Sequence, residues 1–163
     1  MQLYIKYALA IFLLCGFNIN LISSEINSQY SATITRDIFG VPHVHGATDA
    51  DAAFGLAYAQ ADDDITNILT TIDLARAGSG LKNGRDGAVT DYLIKALGIR
   101  ELVEERYEED LSQEVQAVLK GFVAGLNYWM SLNLDRNIKD YYPVNEIDLV
   151  SSFAIQGLFF SGI

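Results

Sequence analysis

The chain has 163 residues, half of them hydrophobic, enough to fill one core and to set a single domain as the expectation. Its formal net charge is −10, and its 11 lysines and arginines are scattered, which excludes a nucleic-acid-binding role that needs a clustered basic face. Cys15 is the only cysteine, so no disulfide framework is available and packing or a partner chain must stabilise the fold.

Residues 1–24 read as a signal peptide and residues 25–163 as the folded region. Lys6 supplies the positive start, Tyr7 to Phe17 is almost unbroken apolar sequence, and Ser23 and Ser24 lie near a plausible cut. The run is shorter than the ~20 apolar residues of a spanning helix, so no stable membrane span is expected. The expected location is periplasmic or secreted, with an uncleaved N-terminal anchor as the competing reading. Leu14 stands before Cys15 where a lipoprotein signal would carry a small residue.

Ser31 to Arg36 reads as a strand, Asp37 to Gly40 as a turn and Val41 to His45 as a second strand. Pro42 cannot donate to a ladder and puts that strand at an edge or at its own start. Thr48 or Asp49 is a good N-cap for a long helix from about Ala50 to Ala77, with apolar residues near a 3.6 period. Gly78-Ser79-Gly80 ends it, Lys82 to Gly87 reads as a loop, and Thr90 to Leu97 as a short helix closed by Gly98. Glu101 to Asp110 is a charged, exposed helix with Leu102, Val103 and Tyr107 on one side. Ser112 caps the next helix, whose stripe runs from Val115 to Met130 and whose Gly121 and Gly125 allow close helix approach. A polar and aromatic loop over 133–145 holds Pro143. Asn145 or Asp148 begins a last helix, Ile147 to Phe160, apolar enough to be buried, under a partner if one is present.

Chemistry-bearing residues are few. His43 and His45 share one strand face, but a metal needs further ligands, and hydrogen-bonded histidines near a turn are the favoured reading. Asp62, Asp63 and Asp64 offer oxygen ligands, yet consecutive helical positions point about 100 degrees apart and cannot converge on one ion. A solvated face with one member capping or pairing with an arginine is favoured there. No Gly-x-Ser-x-Gly elbow, Walker loop or dinucleotide fingerprint is present, and Ser79 is read as helix-ending punctuation. The chain contains no self-sufficient active site.

Four segments, in order, resemble the light-chain region of the penicillin acylase family. They are Arg36-Asp37 with Gly40-Val41-Pro42-His43, then Asp51, Gly55, Tyr58, Ala59, Ala61 and Asp62 with Ala75-Arg76. Gly121 to Trp129 and Asn145-Glu146-Ile147-Asp148-Leu149 complete the set, which covers Ala32 to Ile163. Asp62-Asp63-Asp64-Ile65 stands where many relatives carry Gln-Asp-Arg and an aromatic residue. Arg76 to Gly80 looks more like the branch acting on acyl-homoserine lactones and lipopeptides.

The resemblance implies an α+β fold, mainly helical with a short N-terminal β-hairpin, forming part of a four-layer αββα N-terminal-nucleophile hydrolase. It implies a light chain cut from a precursor whose heavy chain is the partner and starts with the nucleophilic serine. That serine's own α-amine would act as base, and a small-molecule linear amide would be hydrolysed. In the family this serine is normally followed by asparagine; Ser161 is followed by Gly162 and is not assigned the role. No catalytic residue is therefore expected in this chain, no organic cofactor, and no metal ligand, although calcium occurs in some relatives. Leu158, Phe159 and Phe160 are the expected substrate-binding or interchain residues, with plain core packing as their competing reading. The rival for the whole chain is a non-catalytic exported helical module that binds a protein partner.

Overall fold

The computed structural model describes residues 29–135 and 137–161. The expected signal peptide lies outside them. Two strands, β1 (Ala32–Arg36) and β2 (Pro42–Gly46), precede five helices: α1 (Asp49–Arg76), α2 (Gly80–Leu97), α3 (Ile99–Asp110), α4 (Gln113–Leu132) and α5 (Glu146–Phe160). The expected architecture, mainly helical with one hairpin, is the observed one.

The strands are antiparallel, with Thr33 opposite His45, Ile34 opposite Val44 and Thr35 opposite His43. Period-2 alternation turns Ile34 and Val44 toward α1 and leaves the threonines and histidines toward solvent. Thr48 starts α1 through a reciprocal cap in which its hydroxyl accepts from the Asp51 N–H while the Asp51 carboxylate accepts from the Thr48 N–H. Asp51 also accepts from the Ser31 N–H at 2.9 Å, tying the start of the helix to β1. That bond, the Thr48 hydroxyl and the Thr48 N–H hold the carboxyl below its usual range against some desolvation.

The first half of α1 is buried on two sides because its residues are small. A side chain at Gly55 would sit 2.6 Å from both Ala32 and Val44 of the hairpin. On the opposite side, Gly121 and Gly125 of α4 lie against the Ala50 and Phe54 carbonyls with no room for a methyl group. Leu69 and Ile72 of α1, Leu126, Trp129 and Met130 of α4, and Ile138, Tyr141 and Val144 of the following segment form the main core. Tyr30, Phe54, Tyr128 and Tyr58 add a run of ring contacts with centroids 5.8 to 6.0 Å apart.

Three expectations are corrected. Most of residues 82–87 are helical where a loop is expected: α2 begins at Gly80 and is two helical runs joined at Gly84, which alone leaves helical values with a φ of +60°. Asp91 makes this possible by accepting from the Ser79 and Gly80 N–H groups, so a carboxylate from further along the same helix satisfies the start that Ser79 leaves uncapped. The long helix α1 is broken at Asp64, whose backbone leaves helical values and whose carboxylate then caps Asn67. The last helix is buried along one side only: Asp148, Ser151, Ser152 and Ile155 face inward while Phe153, Phe159 and Phe160 are exposed.

Candidate functional site

Leu158, Phe159 and Phe160 occupy the final turn of α5. Successive helical positions diverge, so they do not converge on one point. Leu158 turns inward onto the satellite core of Ile94, Ile99 and Ile155, whereas Phe159 is half exposed and Phe160 is 90% exposed. Two aromatic rings in water at one helix end, with Phe153 one to two turns earlier, make an exposed apolar surface.

What fixes the direction of that helix is its other end. Asn145 and Asp148 form a reciprocal cap, and the Asp148 carboxylate, 0% exposed, lies between two arginines from distant parts of the chain. Arg76 at the end of α1 donates to both of its oxygens, at 3.0 and 2.6 Å, and Arg100 of α3 donates at 2.7 Å. Arg76 also donates to the carbonyls of Tyr141 and Pro143, and Arg100 pairs with Glu104 at 3.2 Å. Burial alone would raise the Asp148 carboxyl; the hydrogen bonds from Arg76, the Asn145 N–H and Arg100 outweigh it and hold the group below its ordinary value. Sequence reasoning misses this three-element junction. Ala75-Arg76 and Asn145 to Leu149 carry part of the family resemblance, but no spacing rule connects residues 72 positions apart.

The other motif residues also have structural work. Arg36 donates to the Gly40 carbonyl and pairs with Asp62 and Asp63 of α1 at 3.1 and 2.7 Å, as expected for that acidic run. Asp62 accepts from the Trp129 indole at 3.3 Å. Asn127 holds the segment after α4 like a short strand, donating to the Val144 carbonyl and accepting from its N–H. His43 approaches the Asp37 carboxylate at 3.3 Å, the hydrogen-bonded arrangement favoured for the pair, whereas His45 faces solvent on the same strand. Among the described residues no three His, Cys, Asp or Glu side chains are grouped to hold a metal ion. No described helix is long and apolar enough to cross a membrane.

A polar cleft of roughly 940 Å³ opens beside the end of α1, between Thr66, Asp73 and Ser79 on one side and Asn137 and Tyr141 on the other. Three of its polar groups satisfy one another: Tyr141 donates to Asp73 at 2.7 Å, and the Lys82 ammonium pairs with Asp73 at 2.9 Å above the Tyr141 ring. It presents no nucleophile paired with a base.

The geometry is thus that of a framework in which the distinctive residues hold backbone in place. The penicillin amidase family model matches residues 31–157, from the first strand through most of α5. The chain belongs to the penicillin amidase family. It is 28% identical over 98 residues to penicillin acylase 2 proenzyme of Pseudomonas sp. (strain SE83), covering 60% of this chain and 12% of that protein. It is 26% identical over 144 residues to aculeacin-A acylase of Actinoplanes utahensis, covering 77% of this chain and 18% of the relative. The acyl-homoserine lactone acylase QuiP of Pseudomonas fluorescens is 25% identical over 100 residues, covering 61% and 12%. Among solved structures, the thermostable penicillin G acylase from Alcaligenes faecalis superposes with a TM-score of 0.65 at 17% identity, covering 76% of this chain and 70% of that one. The chain therefore spans between 12 and 18% of the length of these curated relatives.

Proposed function

We propose that this penicillin amidase family chain is the light-chain portion of an exported N-terminal-nucleophile amidohydrolase. The observation that carries this reading is the family match over residues 31–157, which takes in the hairpin and the helices up to α5 in a chain that spans under a fifth of its relatives. In this reading the chemistry is supplied by a second chain. The reaction is hydrolysis of a small-molecule linear amide. A serine at the start of the heavy chain attacks the carbonyl with its own α-amine as base, the amine leaves, and water releases the acid. This chain supports the fold and lends the end of α5, with Phe159 and Phe160 uncovered and Leu158 packed behind them, to the acyl-binding wall. The site of action is the periplasm or the medium. Relatives named for penicillin, aculeacin A and acyl-homoserine lactones set the range of acyl groups to try.

The test is the DNA beyond the codon for Ile163. An open frame of several hundred codons with Ser-Asn after a short spacer is expected, and its mature product should cleave acyl-homoserine lactones or penicillin-type amides. Replacing that serine with alanine should abolish both processing and turnover. A stop codon with no such frame nearby would remove the enzymatic reading and leave an exported binding module.

A further inference from the structure

We propose that the Ile38-Phe39 tip of the β-hairpin is a preformed plug that seats in an apolar pocket of the second chain, an attachment separate from the end of α5. The proposal rests on the light-chain reading above.

Two features of the tip conflict unless something covers it. Its side chains are bare: Ile38 is 93% and Phe39 84% exposed, with Val41 beside them half exposed. A flexible loop would fold such residues back or leave them disordered in water. Here the backbone is fixed from within. The Asp37 carboxylate accepts from the Phe39 and Val41 N–H groups at 2.9 and 3.0 Å, and Gly40 N–H donates to the Asp37 carbonyl at 3.0 Å. Asp37 N–H donates to the Val41 carbonyl, and Arg36, itself clamped to α1 by Asp62 and Asp63, donates to the Gly40 carbonyl at 2.9 Å. Gly40 supplies the φ of +83° that closes the turn.

The consequence is chemical. The N–H groups of Phe39, Gly40 and Val41 are already paired, so moving the tip out of water strands none of them. The ordering entropy that weakens most loop-mediated contacts has been spent within this chain. A rigid aromatic and a β-branched side chain on backbone whose Phe39, Gly40 and Val41 N–H groups are already bonded are what a buried interface centre needs, with the Ile38 N–H and the Ile38 and Phe39 carbonyls left for the pocket to meet. A membrane is the wrong occupant, because Asp37, Asp62 and Asp63 outnumber Arg36 at the base of the tip and repel anionic headgroups. The rest of the precursor is the right one, since relatives have more than four fifths of their length outside the region matched here.

The experiment uses the complete reading frame, tagged on this chain, with wild type, Ile38→Ser/Phe39→Ser and Phe39→Trp compared. Retention of the second chain is followed through increasing urea, and Phe39→Cys is labelled with maleimide before and after dissociation. The expected result is loss of the second chain at least about tenfold faster from the double variant, near-wild-type retention for Phe39→Trp, and an introduced thiol that reacts only after dissociation. Equal retention by the double variant, with the introduced thiol reactive in the intact protein, would overturn the plug while leaving the light-chain reading standing. Self-association of this chain that the double variant abolishes would overturn it in favour of a second copy. Failure of any second chain to accompany the wild type would bring down the light-chain reading itself.

Discussion

A carboxylate without solvent contact stays ionised only when positive donors surround it, and Asp148 has two arginines and its own helix cap. Asp148→Asn keeps the shape and removes the charge. We expect a loss of about 3 kcal/mol, at the low end for a broken buried pair because both arginine side chains keep partial solvent contact. Urea denaturation checks it. The pH dependence has a definite sign: with the folded carboxyl depressed, its contribution is complete above the unfolded value of about 4 and disappears as pH falls through the folded value. The gap between wild type and Asp148→Asn should therefore shrink on acidification. Ala77 is another residue under constraint, ending α1 with a φ of 50° that L side chains resist. Ala77→Gly should raise stability by about 0.5–1 kcal/mol, read as a higher thermal midpoint. On the light-chain reading proposed above, Phe160→Ala at the end of α5 should raise the KM of the two-chain enzyme for long acyl chains several-fold while kcat changes less, and the same KM shift for short chains would argue against an acyl wall. Single residues are the hardest part to read from sequence. That the acidic run finds an arginine can be anticipated from charge, though not that the arginine is Arg36, whereas Arg76, Asp148 and Arg100 meet only because the termini of three helices come together.

Elements are far more legible, because period and punctuation are local signals. Alternation marks the hairpin, Thr48, Ser112 and Asn145 mark helix starts, and the stripe from Val115 to Met130 marks α4. The departure at 82–87 has a plain cause. Asn83, Gly84 and Gly87 look like a loop, and Gly84 does break the helix; the helical runs on either side are tied together by Asp91, whose carboxylate caps the turn at 79–80 from beyond the break. Close approach follows from glycine spacing, since Gly121 and Gly125 lie one turn apart on α4. Gly125→Ala would press a methyl group into the Phe54 carbonyl, and neither backbone can yield without moving its helix. The expected cost is about 2–3 kcal/mol, larger than that of Gly157→Ala, where nothing lies within 4 Å. Thermal unfolding of the pair distinguishes packing from helix propensity, because propensity alone favours alanine at both positions.

For the whole molecule, family membership is legible where an active site is not, since the residues that carry the resemblance are the ones that hold backbone segments together. Ile38, Phe39, Phe153, Phe159 and Phe160 leave apolar surface in water at separate places, so the chain expressed alone should bind an apolar dye and aggregate on concentration. A stable monomer without dye binding would count against the partner reading. The α1–α4 contact has one more consequence. Those helices meet backbone to backbone, while α2 departs from the end of α1 and α3 returns, held by Arg100 and the small core around Ile155. Lengthening such an excursion adds closure entropy only slowly, about 0.6 kcal/mol per doubling. The bend at Gly84, with open space beside it, is therefore where new sequence could be spliced in with the least disturbance to the rest.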